Sequence, residues 1–219
     1  VIEVTEFIDN TQDPPVRGFL HQPEVPSGGI VLTHGAGGNA NMTLLVGLAD
    51  VFAGAGIAVL RCDLPFRQSR KFGPPGPRDG ARDRSGLKHA LGAMRKQFPG
   101  KMFLGGQSYG GRQASMLLSE EPTLAEGLLL LSYPLHPPNQ PEKMRTQHLP
   151  SLMTPTLFIS GTKDPFGTPD EIEAARKLIP AKAKLVTIEG VGHDLGFTGK
   201  KGRKDIPGIV LEHVQHFFV

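Results

Sequence analysis

Short apolar runs recur along the chain, and between them lie stretches whose apolar residues return every three or four positions. "GGIVLTHG", "GIAVLRCD", "KMFLGGQ", "GLLLLSYP", "TPTLFISG" and "AKLVTIEG" each read as a strand. Runs with so little polar alternation suit a parallel sheet covered on both faces. Helices are predicted over about 42–53, 79–97, 111–120, 169–178 and 206–218, where good helix formers carry one apolar face. The first two runs differ: "VIEVTEFI" and "VRGFL" are joined by "DNTQDPP", whose turn residues predict an antiparallel N-terminal hairpin. "LPFRQSRKFGPPGPRDG" carries too much Pro and Gly for regular structure, and "LHPPNQPEKMRTQHLPSLM" reads as a proline-rich connection with no room for a large helical cap. The expected fold class is therefore α/β, a mostly parallel twisted sheet with helices on both faces. Neither an internal repeat nor a linker interrupts the pattern, so residues 1–219 read as a single domain.

Composition narrows the class. Of 219 residues, 38% are hydrophobic and 21% charged, which suits a packed core in water and does not suit disorder. No apolar run reaches the length of a membrane-spanning helix and the first ten residues lack a signal-peptide core, so a cytoplasmic protein with no membrane partner is expected. Cys62 is the only cysteine, which excludes an internal disulfide and a cysteine-built zinc site; it reads as a buried strand-end residue. A net charge of +3 gives little support for nucleic acid as a partner. The basic residues are nevertheless grouped: Arg67, Arg70, Lys71 and Arg78 in one loop, and Lys200, Lys201, Arg203 and Lys204 in another. Both loops start at carboxyl ends of predicted strands. Arg67 and Arg70 are thus candidate substrate contacts and an anionic substrate is an expectation, with a merely solvated loop as the simpler explanation.

The chemistry is concentrated in four blocks. "GGQSYGG" places Ser108 in G-x-S-x-G directly after a strand and before a helix, the arrangement of a nucleophile turn. Gly106 and Gly110 leave room for such a turn. A serine hydroxyl is a poor nucleophile at neutral pH and needs a base, and the base needs an orienting acid. "GTKDPFG" offers Asp164 just past one strand and "GVGHDL" offers His193 just past the next, where open α/β sheets build their sites. Asp194, beside the histidine, is the less favoured acid. Backbone N–H groups for a developing oxyanion are expected from Tyr109 and, in the "HGAGG" loop, from Ala36, with Gly37 as the next choice. His34 reads as an anchor for that loop. No metal or organic cofactor is required.

Together these blocks resemble the α/β-hydrolase superfamily from about residue 29 to the C-terminus, and within it the small cap-less members similar to dienelactone hydrolases and to testis-expressed-protein-like predicted hydrolases. The resemblance implies a cofactor-independent serine hydrolase, esterase-like, acting by acyl transfer on a small-molecule carboxylic ester or related acyl substrate. One departure stands out: dienelactone hydrolases carry a cysteine nucleophile at this turn, where the present chain has Ser108. Two other readings remain open. A catalytically silent binding protein could use the same scaffold. Alternatively, Gly35-Ala36-Gly37-Gly38-Asn39-Ala40 satisfies G-x-G-x-x-A, with Asp63 ending the next strand, as in a dinucleotide-binding oxidoreductase.

Overall fold

Eight of the apolar runs pair side by side into one sheet in the computed structural model, which describes residues 2–197, 203 and 205–218. The strands are β1 (Glu3–Asp9), β2 (Val16–Gln22), β3 (Gly28–Thr33), β4 (Ile57–Cys62), β5 (Lys101–Gln107), β6 (Gly127–Leu131), β7 (Thr156–Gly161) and β8 (Ala183–Ile188). Their order across the sheet is β1-β2-β4-β3-β5-β6-β7-β8. The first two form the expected antiparallel hairpin, and β2 joins β4 antiparallel. From β4 to β8 every pairing is parallel. The helices are α1 (Thr43–Gly54), α2 (Pro65–Ser69), α3 (Asp79–Gln97), α4 (Tyr109–Glu120), α5 (Pro169–Arg176) and α6 (Ile206–Phe218).

Successive strand residues point to opposite faces, and in the central strands β3 to β7 both faces are dry. Ile30, Leu32, Leu129 and Ile159 pack under α1 and α6 against Leu44, Leu48, Phe52, Val210 and Val214. Val31, Leu104, Leu130 and Phe158 face the other way, onto Leu87, Leu91 and Met94 of α3, Leu117 and Leu118 of α4 and Ile172 of α5. This double burial explains why the strands lack polar alternation. Cys62 ends β4 in the second of these cores, and burial pushes its thiol up to about 12, so it stays protonated.

After β4 the chain crosses β3 and continues on its other side, so β3 and β5 diverge at their carboxyl ends and open a crevice there. One sequence expectation fails nearby. The Pro/Gly-rich stretch after β4 does contain regular structure, the single-turn-plus α2. Pro65 tolerates the first helical position because that residue's N–H has no partner within the helix. Phe66, next in line, donates its N–H to the buried Asp83 carboxylate at 3.0 Å. The β6–β7 connection, 132–155, contains only one short 3-10 turn, Leu149–Ser151, and among the described residues no large cap covers the crevice.

Phe52 has no exposed surface and fills the α1 side of the sheet. Phe52→Ala should lower unfolding free energy by about 3–5 kcal/mol, measured by urea denaturation.

Candidate active site

Ser108 leaves β5 with φ 51° and ψ −119°, and Tyr109 begins α4 immediately afterwards. A residue with a side chain is strained in that region, so its neighbours must hold it there. They do so by close approach. A Cβ on Gly106 would stand 2.5 Å from the Gly111 nitrogen, and one on Gly110 would stand 2.4 Å from the His34 carbonyl oxygen. The turn is closed by Ser108 N–H donating to the Leu131 carbonyl at 2.8 Å and Arg112 N–H donating to the Ser108 carbonyl at 3.0 Å.

The three residues singled out from strand ends meet. Ser108 Oγ lies 2.7 Å from His193 Nε2, and Nδ1 of that ring lies 2.8 and 3.0 Å from the two carboxylate oxygens of Asp164. A carboxylate only accepts, so Nδ1 carries the proton and Nε2 presents a lone pair to the serine hydroxyl. Asp164 is buried, and its Oδ1 also accepts the Phe166 N–H at 2.9 Å. The Phe166 ring stacks on the imidazole, with centroids 4.0 Å apart and planes at 28°. Gln107 donates from Nε2 to the His193 carbonyl at 3.2 Å, tying the histidine loop to the end of β5. Phe166 and Gln107 carry no sequence motif and were found only from the fold.

The glycine loop after β3 is fixed from both sides. His34 is fully buried, its ring held neutral because burial lowers its pKa. Nε2 accepts the Leu64 N–H at 3.1 Å, so Nδ1 is the donor to the Gly35 carbonyl at 2.8 Å. In a trans peptide the N–H points opposite to its carbonyl. Holding the Gly35 oxygen therefore turns the Ala36 N–H the other way, and Arg67 Nη2 on the Ala36 oxygen at 2.8 Å does the same for Gly37. Neither Ala36 N–H nor Tyr109 N–H donates to another described residue. Tyr109 lies where a helix has no carbonyl to offer. Its phenol donates to the Asp83 carboxylate at 2.7 Å, which pins α4 to α3; burial and then that bond push its pKa up.

Around Ser108 and His193 lies an open cleft of about 1200 Å³. Arg67 and Arg70, the candidate substrate contacts, do not line it; Arg67 lines a smaller adjoining pocket with Ala36 and Gly37. The Arg67 guanidinium is buried and gives all five N–H groups to the carbonyls of Gly38, Arg70, Lys71, Ala36 and Gly73. Arg70 pairs with Asp79. Of the second basic group, Lys200, Lys201 and Lys204 lie outside the described residues, and Arg203 pairs with Asp205 at 2.7 Å. The arginines that do line the cleft are Arg78, Arg84, Arg112 and Arg145. The dinucleotide fingerprint is also otherwise engaged: Asp63 Oδ1 accepts the Ala40 N–H at 2.6 Å, within its own loop system, and β2 runs antiparallel beside β4.

Two outcomes follow from these contacts. Arg67→Met keeps the buried stem but leaves five carbonyls without their donor; it should cost about 2–4 kcal/mol in a denaturant titration. His148, whose Nε2 lies 2.7 Å from Ser115 Oγ, has its pKa lowered to about 4 by burial, then by Arg112 and Arg84. The unfolded chain binds that proton near the ordinary value of 6.5. Stability is therefore fully present above 6.5 and lost as pH falls towards about 4, by at most about 3 kcal/mol. His148→Gln should flatten that stretch of a stability-against-pH curve.

Several known proteins share this fold. A dienelactone hydrolase from Anabaena variabilis superposes with a TM-score of 0.78 at 21% identity, covering 100% of this chain and 99% of its own. An α/β serine hydrolase without lid from Xanthomonas campestris gives 0.77 at 18% identity, with 99% and 95% covered. Est1E from Butyrivibrio proteoclasticus gives 0.73 at 16%, with 97% and 96% covered. At these identities the likeness speaks for the fold. Polyketide synthase ThaQ of Burkholderia thailandensis is 47% identical over 53 residues, a match that spans 24% of this chain and only 2% of that protein. The family model described as "Alpha/beta hydrolase domain" matches residues 26–213. That match takes in β3 to β8 and every residue of the Ser108 site, and the chain belongs to the alpha/beta hydrolase domain family.

Proposed function

We propose that the chain is a serine hydrolase that transfers an acyl group from a carboxylic ester to water. The observation that carries this reading is the hydrogen-bonded series from Ser108 Oγ through the two nitrogens of His193 to the buried Asp164. In the first half-reaction Ser108 Oγ forms a bond to the ester carbonyl carbon while its proton passes to His193 Nε2. The carbonyl oxygen becomes an oxyanion, met by the N–H groups of Tyr109 and Ala36. The carbon–oxygen bond to the alcohol then breaks, and the alcohol departs with the proton from Nε2. Water repeats the sequence on the acyl-serine, giving up its proton to Nε2 and releasing the acid and the free serine. Asp164 keeps the imidazole in one tautomer throughout and stabilises its cationic form.

The strained Ser108 backbone and the unengaged amides of Ala36 and Tyr109 support the same reading, since a scaffold used only for binding has no physical need of them. A p-nitrophenyl ester screen with Ser108→Ala as control tests it. The variant should lose about 10⁴-fold or more in turnover, and a fluorophosphonate should label wild type at Ser108 alone. A folded Ser108→Ala protein that keeps most of the activity would overturn Ser108 as the nucleophile, and a wild type that neither turns over esters nor takes the label would leave a binding protein on a hydrolase scaffold.

A further inference from the structure

The buried arginines of this chain, Arg61 and Arg67, have donors met by the fold. Arg67 spends every donor on a carbonyl. Arg61, also buried, donates to His21 Nε2 at 2.9 Å and to the Ala40 carbonyl. Arg112 does nothing comparable. It lies one helical turn beyond Ser108, about 6 Å along the axis of α4, and its side chain lines the cleft. Its guanidinium makes neither a hydrogen bond nor an ion pair with any described residue, and its Nε is buried with no partner. A desolvated donor left unmet is destabilising, and such a position is kept where a ligand supplies the acceptor.

Its neighbours add charge of the same sign. Arg84 is held by Gln113 Oε1 at 3.1 Å, with the Glu120 carboxylate 3.6 Å from its Nε. Arg145 is held by the Pro134 carbonyl at 3.0 Å, an acceptor that fixes its place without cancelling its charge. No Asp or Glu is found among the described residues lining the cleft. The resulting field is felt nearby: after burial, the largest influence lowering Arg145 and His148 is Arg112.

We propose that Arg112, flanked by Arg84 and Arg145, is an acid-recognition subsite, and that the substrate is an ester carrying a second, ionised carboxyl group a few carbons from the scissile carbonyl. The guanidinium fork of Arg112 takes that carboxylate in a paired geometry while the carbonyl lies at Ser108 Oγ. This inference rests on the acyl-transfer reading for its ester but not for its anion.

Two matched pairs of esters test it: the mono-p-nitrophenyl ester of glutarate against its methyl-capped form, and butyryl 4-hydroxybenzoate against its methyl ester. Wild type should favour the anionic member of at least one pair by tenfold or more in kcat/KM at low salt, with the ratio shrinking as salt is added. Arg112→Gln should reduce that ratio about tenfold, Arg112→Lys less, and Arg145→Gln serves if Arg112→Gln does not fold. Ratios near one for both pairs in wild type, or a ratio that survives in folded Arg112→Gln, overturn the subsite. Calorimetric binding of free glutarate separates the two readings. Glutarate bound by wild type and lost in Arg112→Gln upholds the subsite even if no ester is turned over, whereas turnover of neutral esters without glutarate binding removes the subsite and leaves acyl transfer standing.

Discussion

The left-handed backbone of Ser108 is the constraint on which the rest of the cleft depends. It reverses the chain between β5 and α4 within one residue, and a conformation of that kind costs about 1–3 kcal/mol. The surrounding structure holds it in place. Gly106 lets α4 lie against β5, Gly110 lets it lie against the β3 loop, and the Leu131 carbonyl takes the Ser108 N–H. These contacts set the distance from the serine to the 35–38 loop. Tyr109, locked to Asp83, fixes the rotation of the helix. The histidine loop is then brought to the same point by Gln107, the residue immediately before the turn.

Charge is distributed around this centre in two ways. Arg67 and His34 act on carbonyls of the glycine loop, so a cation and a neutral ring set the direction of backbone N–H groups without approaching the reacting atoms. Arg112 stands on the open side with its fork unengaged. Arg67 is buried and Arg112 half-buried with its Nε shut off from water, and they differ in whether the chain provides acceptors. Sequence position does not reveal that difference.

The central strands were legible because they are apolar throughout, the hairpin because turn residues join its two runs, and the longer helices because each has one apolar face. The five-residue α2 was not, because it sits among Pro and Gly. Ser108, Asp164 and His193 were legible because each follows a strand end in a fixed order. The charged groups were not. Arg67 and Arg70 cluster in sequence, which drew attention to them, yet the fold turns the first onto backbone carbonyls and the second onto Asp79. Arg84, Arg112 and Arg145 come from three separate segments and form a cluster only in space. Phe166 likewise gains its place against His193 from the short turn that Asp164 closes, a contact no local pattern announces.

The segment between β6 and β7 folds largely upon itself. Tyr133 donates its hydroxyl to the Arg145 carbonyl at 2.6 Å, and Arg145 returns its backbone N–H to Leu135 at 2.8 Å and its side chain to Pro134. One wall of the cleft, with Pro134 and Arg145, is thus a panel tied by its own hydrogen bonds, whereas Ser108 follows β5 and Asp164 follows β7. Tyr133, Leu135, Leu149 and Leu152 anchor that panel in the core, so variation in its charge is confined to the rim it turns towards the cleft.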